Sequence, residues 1–368
     1  MINKDTLSTV TKTIGVFSAL YLFLVGIAGM SSAIKHMGAE FAETVLTTTS
    51  DPFIALFIGI FSTVLFQSSS TTTSLIVGMV SSGSLTIASS IPMIMGANIG
   101  TTVTNTIVSI GHINKGTEFK RAFAASTVHD FFNILAVIIV FPIEMIFHPL
   151  QRISEWFALQ LFGKIENIEV LQAKSPIKVA VKAGAKFIQK FTFDNDIIYL
   201  SLSVFITFLM LYSIVKLLKS LVLKKIEGFF DQYIFKTPII AMISGVLITI
   251  MVQSSSITTS LVVPLAGAGV LTLRQIFPFT LGANIGTTVT ALLAAITGTV
   301  SALVAAFSHL LFNIFGIIII YGIPFLRNIP LMFAENISEM AVSKKYIPLI
   351  YLFVIFILIP LCIIYFGR

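Results

Sequence analysis

The tetrad Gln-Ser-Ser-Ser occurs twice in this chain, starting at Gln67 and again at Gln253. Each copy is followed by the nonapeptide GANIGTTVT, which starts at Gly96 in the first case and at Gly282 in the second. Both motifs recur at the same offset of 186 residues (253 minus 67, and 282 minus 96). Uncharged polar residues repeated inside apolar stretches favour a binding site built from two related halves over an accident of packing.

The tetrads carry groups that suit both anions and cations. Glutamine offers an amide oxygen and two N–H donors, and each serine offers a hydroxyl. If a tetrad breaks a helix, the N–H groups that begin the second half-helix suit an anion. The freed carbonyl and hydroxyl oxygens suit a hard cation such as Na⁺. The alternative is polar contact between helices, since Ser and Thr are enriched at membrane helix interfaces. The duplication favours a site.

The nonapeptides combine glycines with amide and hydroxyl groups. Glycines allow close helix approach or a local break, which alone would indicate tight packing. Asn98 and Asn284 can offer carbonyl oxygens to a cation, and their presence favours function. The neighbouring hydroxyls can bind a cation or donate to an anion, and they belong to Thr101, Thr102, Thr287 and Thr288.

A third duplicated pair is His129 with Asn133 and His309 with Asn313. Residues four apart share one helix face, so hydrogen bonding that fixes a helix hairpin is favoured over a functional role. Asp130 has no counterpart in the second half. We expect it to pair near the basic loop that precedes it, with a proton-linked or cation-linked role as the alternative.

Composition identifies a polytopic membrane protein. Of 368 residues, 56% are hydrophobic and 11% charged, and the mean hydropathy is +0.99. Soluble proteins carry about 25% charged residues. The net charge of +7 sits in short clusters beside apolar segments, which is typical of membrane orientation signals and not of nucleic-acid binding. Cys362 is the only cysteine, which excludes intrachain disulfides and thiolate metal sites.

The chain divides into two repeats, at residues 1–147 and 197–325, joined by a polar connector at 148–196. Residues 326–368 are predicted to form a loop and an extra transmembrane helix. Helices are expected at about 14–34, 91–110 and 122–147, with an apolar segment at 52–84 that the first tetrad breaks. The second half repeats this order at about 197–222, 238–267, 277–296 and 300–324, and a last helix covers 347–365.

Two half-helices meeting at each tetrad are favoured over one ordinary helix. Non-helical backbone at membrane depth is tolerated where it is buried or lines a cavity. The alternative is an unbroken helix whose Ser and Thr side chains bond back to its own carbonyls.

Lysine and arginine clusters predict inverted topology for the repeats. Four clusters fall on one side of the membrane if each tetrad segment enters and leaves by the same face. The two re-entrant hairpins then open to opposite faces, and the connector lies outside the cell. The clusters are Lys4 and Lys12; Lys115, Lys120 and Arg121; Lys216, Lys219, Lys224 and Lys225; and Arg327, Lys344 and Lys345.

Charged residues are missing from both tetrad segments and both nonapeptides. A bound anion could therefore supply the charge that makes co-bound cations favourable, and this coupling is reciprocal. The sequence has no P-loop, no metal-ligand histidine pattern and no catalytic triad spacing, so we expect no enzymatic activity.

At these residues the chain resembles the type II sodium/phosphate cotransporter family. The resemblance is densest in QSSSTTTS, MVSSG, IPMIMGANIGTTVTNTIV and FKRAFAASTVHDFFN, and the second copies QSSSITTS and GANIGTTVT complete it. The animal members have a larger, disulfide-bonded external loop, so the short cysteine-free connector indicates a bacterial-type member.

The resemblance implies Na⁺-driven import of inorganic phosphate across the cell membrane by alternating access, with Na⁺ as coupling ion and no cofactor. Transport of another anion, such as sulfate or a dicarboxylate, and a non-transporting phosphate sensor remain alternatives. A channel is a third, weaker alternative, and a homodimer stays open. The implied phosphate ligands are Gln67, Ser68, Ser69, Ser70, Gln253, Ser254, Ser255 and Ser256. The sodium set is Gln67, Ser70, Thr72, Thr73, Asn98, Thr101, Thr102, Gln253, Ser256, Thr258, Thr259, Asn284, Thr287 and Thr288.

Overall fold

The described part of the chain is helical. The computed structural model describes residues 4–101, 103–162, 176–193, 195–226 and 234–367, and none of these lies in a β-strand. The all-α class expected from the sequence is confirmed. Among these residues, six helices are long and apolar enough to cross a membrane: Thr9–His36, Gly116–Phe147, Asp196–Leu218, Leu273–Ala295, Val300–Tyr321 and Ile347–Phe366.

The first half contains seven helices among its described residues. They are α1 Lys4–His36, α2 Gly38–Thr48, α3 Pro52–Phe66, α4 Ser69–Ser82, α5 Ile87–Gly100, α6 Val103–Ile110 and α7 Gly116–Phe147. Helices α3 and α4 flank the first tetrad. At 15 and 14 residues, each is shorter than the roughly 20 residues that span a bilayer.

The described residues of the connector and the second half are also helical. The connector contributes α8 Pro149–Phe162 and α9 Pro176–Lys190, and the second half contributes α10 Asp196–Ile226, α11 Pro238–Val252, α12 Ser255–Gly267, α13 Leu273–Ala295 and α14 Val300–Gly316. A π-helical turn, Ile317–Tyr321, extends α14. The chain continues with α15 Pro324–Ser343, α16 Ile347–Phe353, a second π-helical turn Val354–Leu358, and α17 Ile359–Phe366.

The helix expected over residues 91–110 is interrupted. Helix α5 ends at Gly100, whereas its counterpart α13 continues through the second nonapeptide. The Thr101 N–H bonds the Asn98 carbonyl at 3.4 Å, an i to i−3 bond that tightens the last turn. Thr102, one of the predicted sodium ligands, lies outside the described residues.

The loop expected after residue 326 was wrong, because Pro324–Ser343 forms α15. Its buried residues include Leu331, Ala334, Ser338 and Ala341, whose spacing marks one helix face. Charged residues on the other face kept this segment below the hydropathy of a membrane span. The same reason explains why α2, α8 and α9 were not predicted.

The two halves interlock around the tetrad helices. Helix α3 packs along α5, and α11 packs along α13 in the same way. By contrast, α4 packs against α13 and α14 of the second half, and α12 packs against α6 and α7 of the first half. Each tetrad helix therefore belongs to one half and also packs against the other.

Candidate functional site

Each tetrad interrupts its helix through the same backbone conformation. Gln67 has φ 52° and Gln253 has φ 56°, both in the left-handed region, which costs a non-glycine residue about 1–3 kcal/mol. The next residue is extended, with φ −158° at Ser68 and −154° at Ser254. A new helix then begins at the second serine of each tetrad.

The serine at each break caps the new helix. The Ser68 hydroxyl accepts the Thr71 N–H at 3.2 Å, and the Ser254 hydroxyl accepts the Ile257 N–H at 3.3 Å. Serine is among the residues that cap helix N-termini best. The tetrad sequence thus encodes both the end of one helix and the start of the next.

The two glutamines are held by equivalent hydrogen bonds. Gln67 Nε2 donates to the Val64 carbonyl at 2.6 Å, and Gln253 Nε2 donates to the Ile250 carbonyl at 2.7 Å. Their amide oxygens accept the hydroxyl of Thr104 at 3.2 Å and of Thr290 at 2.9 Å, respectively. Each glutamine therefore ties the break to the last residue of its own nonapeptide.

The chain reverses direction at the first tetrad. Thr63 Oγ1 donates to Thr72 Oγ1 at 3.0 Å, although residues this far apart in a straight helix would be separated by about 13 Å. Helices α3 and α4 therefore form a hairpin whose tip is the tetrad.

Both tetrads line a single cavity of about 520 Å³. The first contributes Gln67 to Ser70, and the second contributes Ser254 to Ser256, whereas Gln253 faces a neighbouring apolar cavity. The opposite wall comes from α10 and is largely apolar, with Phe205, Phe208 and Tyr212 among its residues. The structure thus brings together seven of the eight residues predicted to bind phosphate.

The tetrad cavity has no Asp, Glu, Lys or Arg among its described lining residues. Its polar character comes from serine hydroxyls and from the start of α4 and α12. The first N–H groups of a helix have no acceptor within that helix, and they carry the positive end of its dipole. The cavity can therefore bind an anion without a fixed positive charge.

Most threonines predicted to bind sodium donate their hydroxyl protons to their own helices. The acceptors are the carbonyls of Ser68 for Thr72, Ser69 for Thr73, Ser254 for Thr258 and Ser255 for Thr259, all at 2.8–3.1 Å. Thr101, Thr287 and Thr288 bond back in the same way, to Ala97, Ala283 and Ile285. A hydroxyl whose proton is engaged keeps its oxygen lone pairs as acceptors. These residues are buried and do not line the cavity.

The glycines of the nonapeptides permit direct contact between backbones. A Cβ at Gly96 would overlap the Leu56 carbonyl oxygen of α3, and one at Gly282 would overlap the Met242 carbonyl oxygen of α11. This contact holds α3 against α5 and α11 against α13, which fixes the helix that precedes each tetrad.

The predicted sodium ligands Asn98 and Asn284 lie away from the cavity, in a hydrogen-bonded network with both His-Asn pairs. The His129 imidazole Nε2–H donates to Asn284 Oδ1, and Asn284 Nδ2 donates to Asn133 Oδ1 at 2.9 Å. Asn133 Nδ2 donates to the Asn98 carbonyl at 2.9 Å, which carries the network into the first nonapeptide. The pairs therefore link the two halves instead of only fixing a hairpin.

The equivalent contacts of the second His-Asn pair with Asn98 are longer than those of the first pair with Asn284. His309 Nε2 and Asn313 Nδ2 each lie 3.4 Å from Asn98 Oδ1. All six side chains of the network are at most 4% exposed. A buried polar network of this kind is rigid when satisfied and costly when one member is removed.

Asp130 contacts the last candidate membrane span, Ile347–Phe366. Tyr351 donates its hydroxyl proton to Asp130 Oδ2 at 2.8 Å, and both residues are buried. This contact ties α7 to α16, which stands outside the repeat. The sequence did not predict the pairing.

Comparison with known proteins decides the family. The family described as Na⁺/Pi-cotransporter matches residues 22–163 and 185–334. These stretches hold both tetrads, both nonapeptides and both His-Asn pairs, and they make up more than half of the chain. The chain belongs to the Na⁺/Pi-cotransporter family. With its six candidate spans, this family member is a multi-pass membrane protein.

Relatives from animals align over most of the chain. Sodium-dependent phosphate transport protein 2B of Homo sapiens is 33% identical over 94% of this chain and 63% of its own length. The 2B protein of Pongo abelii is 34% identical over the same shares. The 2A protein of Ovis aries is 33% identical over 96% of this chain and 67% of its own length. The chain thus spans under two thirds of the 2B relatives. No solved structure matches it significantly.

Several residues at the site of this Na⁺/Pi-cotransporter family member were not predicted. Thr104 and Thr290 are the last residues of the two nonapeptides, so the repeat itself could have identified them as site residues. Asn105 bridges the halves, because its Nδ2 donates to Thr259 Oγ1 at 2.7 Å and its Oδ1 accepts the Ser260 hydroxyl at 2.9 Å. Asn105 has no counterpart in the second copy, and no sequence signal marked it.

Proposed function

We propose that this protein is a sodium-coupled symporter that imports inorganic phosphate across the cell membrane by alternating access. The observation that carries the proposal is the single cavity lined by both tetrads. The names of the relatives support it, since the 2A and 2B proteins are described as sodium-dependent phosphate transport proteins.

Phosphate binds in the tetrad cavity, between the starts of α4 and α12. Two helix N-termini supply N–H donors, and the serines supply hydroxyl donors, so the oxygens of the anion are bound without arginine or lysine. Gln67 contributes from the cavity edge, while Gln253 acts through its bond to Thr290. The direct ligands are Gln67, Ser68, Ser69, Ser70, Ser254, Ser255 and Ser256, and Gln253 positions the second tetrad beside them.

Sodium binds to neutral oxygens around the same breaks. Threonine hydroxyls whose protons are donated backward along the helix can offer lone pairs to a hard cation. The set comprises Gln67, Ser70, Thr72, Thr73, Asn98, Thr101, Thr102, Gln253, Ser256, Thr258, Thr259, Asn284, Thr287 and Thr288. Of these, Asn98 and Asn284 would have to exchange a network hydrogen bond for the ion.

Coupling follows from the neutral cavity. Without fixed charges among the lining residues, the phosphate anion attracts Na⁺, and bound Na⁺ attracts phosphate by the same free energy. Neither ion alone is compensated in a low-dielectric site. Joint occupancy is therefore favoured over single occupancy, which is the requirement for symport.

The repeats, residues 1–147 and 197–325, have inverted topology, and the connector at 148–196 is extracellular. Support comes from the Lys and Arg clusters, which share one side of the membrane if each tetrad segment enters and leaves by the same face. The two halves also make reciprocal contacts at the ends of the tetrad helices. A Cβ at Gly298, in the α13–α14 turn, would lie 3.1 Å from the Ser81 hydroxyl near the end of α4. A Cβ at Gly267, the end of α12, would lie 3.4 Å from the Glu118 carbonyl beside the α6–α7 turn. Each tetrad helix thus ends at the equivalent turn of the other half.

Alternating access is relative motion of the two interlocked halves around the tetrads. The re-entrant hairpins keep the ligand groups near the middle of the membrane, as in transporters built from inverted repeats. The contacts that must change lie between α4 and α13 or α14, and between α12 and α6 or α7.

Gln67→Ala and Ser255→Ala test the site. Each should abolish most sodium-dependent phosphate uptake while leaving the amount of folded protein nearly unchanged. Ser220→Ala is the matched control, because Ser220 is exposed on α10 and bonds only the Leu217 carbonyl among its described hydrogen bonds. Unchanged uptake in both tetrad variants would overturn the site, and stronger inhibition by sulfate or a dicarboxylate than by phosphate would reassign the substrate.

A further inference from the structure

A second polar cavity, of about 390 Å³, lies at one face of the bundle. Its walls come from the end of α1, helix α9, the start of α10, Ser81 near the end of α4, and the α13–α14 turn. The cavity therefore touches both halves and the connector. The polar side chains that line it are those of Lys35, Lys182, Lys186, Ser31, Ser32, Ser81, Tyr199, Thr297 and Thr299.

Hydrogen bonds fix the helix that supplies two of the lysines. Tyr21 donates its hydroxyl proton to the Ala180 carbonyl at 3.0 Å, and Tyr199 donates to the Ala185 carbonyl at 3.0 Å. Gly184 allows α9 to lie directly against Val25 of α1. Lys182 and Lys186 are one helical turn apart and share a face of α9. Both line the cavity together with Lys35 of α1, and all three side chains are also exposed to solvent.

The positive charges of this cavity have no compensating carboxylate among its lining residues. No ion pair between described residues involves Lys35, Lys182 or Lys186. Asp196, at the start of α10, lies 3.6 Å from His36 Nδ1 instead. Three like charges around one cavity repel one another, and a bound anion would turn this repulsion into attraction.

We infer that this cavity binds a phosphate-type oxyanion at a site separate from the tetrads. Lysine ammonium groups are point-charge donors that suit phosphate, and serine, threonine and tyrosine hydroxyls add neutral donors around them. Free inorganic phosphate and the headgroup of an anionic phospholipid share this chemistry.

The separation from the tetrad cavity follows from helix geometry. Ser81 lies about 18 Å along α4 from Ser69, and Tyr199 lies about 9–24 Å along α10 from the residues that wall the tetrad cavity. The lysine cavity also contains its own positive charge, so its anion needs no Na⁺. Sodium independence distinguishes the two sites and makes this inference independent of the proposed transport function.

The test is binding of labelled inorganic phosphate to the purified full chain in sodium-free potassium buffer. The variant Lys35→Gln/Lys182→Gln/Lys186→Gln is compared with Lys190→Gln/Lys236→Gln/Lys344→Gln. The latter has the same net charge and removes exposed lysines from outside the cavity. Both sets are measured again in a Ser255→Ala background, so that loss of the tetrad site cannot be mistaken for loss of this one. Folding is checked by gel filtration, with Lys35→Gln alone as the milder variant.

A free-phosphate site predicts saturable, salt-sensitive binding to the wild type and the control. The cavity variant should bind at least about tenfold more weakly, equivalent to about 1.4 kcal/mol. A headgroup site predicts that anionic phospholipid co-purifies with the wild type and the control, and is depleted from the cavity variant at least tenfold. If the cavity variant matches the control in both phosphate affinity and co-purified phospholipid, the lysines are only solvated and the inference is overturned.

Discussion

Asn284 donates a hydrogen bond of 2.9 Å from its Nδ2 to Asn133 Oδ1, which joins the nonapeptide of one repeat to the His-Asn helix of the other. The same asparagine accepts the proton of His129 Nε2. The side-chain amide is thus engaged through both its oxygen and its nitrogen. This relationship explains why the nonapeptide contains an asparagine between its glycines.

Asn284→Ala should destabilise the protein by about 1–3 kcal/mol, because it leaves the buried His129 Nε2–H and the buried Asn133 Oδ1 without a partner. Thermal unfolding in detergent would measure the change. Asn114→Ala is the control, since Asn114 is exposed and accepts a hydrogen bond from Lys345; its effect should stay within about 0.5 kcal/mol. Equal stability of the two variants would mean that the network does not hold the halves together.

Gly96→Ala should prevent close packing of α3 on α5, because the new methyl group would overlap the Leu56 carbonyl oxygen. We expect a large loss of folded protein in membranes, measured as the monodisperse fraction after extraction. Gly282→Ala should behave in the same way at Met242. Gly116→Ala is the matched control, since no atom lies within 4 Å of its added Cβ. A normal yield of Gly96→Ala would show that the backbones can separate without harm.

Gln253→Gly separates the backbone role of the tetrad from its chemical role. Glycine adopts φ 56° without strain, and this gain offsets part of the lost side-chain hydrogen bonds, so stability should change by less than about 1 kcal/mol. Uptake should fall at least about tenfold, because the break is no longer tied to Thr290. Valine is strained in the left-handed backbone region, so Gln253→Val should lose both stability and uptake. Wild-type uptake by Gln253→Gly would show that the Gln253 side-chain amide is not needed for transport.

Inverted topology predicts opposite labelling of equivalent positions. Ser50 and Lys236 are exposed, lie just before α3 and α11, and differ by the repeat offset. In a Cys362→Ser background, a membrane-impermeant maleimide should label Ser50→Cys from one side and Lys236→Cys from the other. Labelling of both positions from the same side would contradict the inverted arrangement and favour parallel repeats.

The sequence predicted the helices and helix breaks that a short stretch of consecutive residues marks by its composition. Repeated hydroxyl tracts inside apolar segments indicated the breaks at Gln67 and Gln253, and long apolar runs indicated the spanning helices. Helices α2, α8, α9 and α15 were missed, because an amphipathic helix lacks a continuous apolar run.

Residues of the candidate site were predictable from the sequence only where the same motif occurs in both halves. The tetrads were identified in this way, and the shared cavity that they line required the structure. Asn98 and Asn284 were expected beside a cation, but their bonding partners lie on helices far away in sequence. The sequence likewise could not predict that Lys35 lines one cavity with Lys182 and Lys186, because no pattern along the chain relates α1 to α9.

Sodium-coupled symport is tested by uptake of labelled phosphate into proteoliposomes that contain the purified protein. Uptake is compared under an inward Na⁺ gradient and an equal K⁺ gradient. The account predicts saturable uptake with Na⁺ and background uptake with K⁺. Equal uptake under both gradients, or none under either with folded protein, would contradict sodium-coupled phosphate symport.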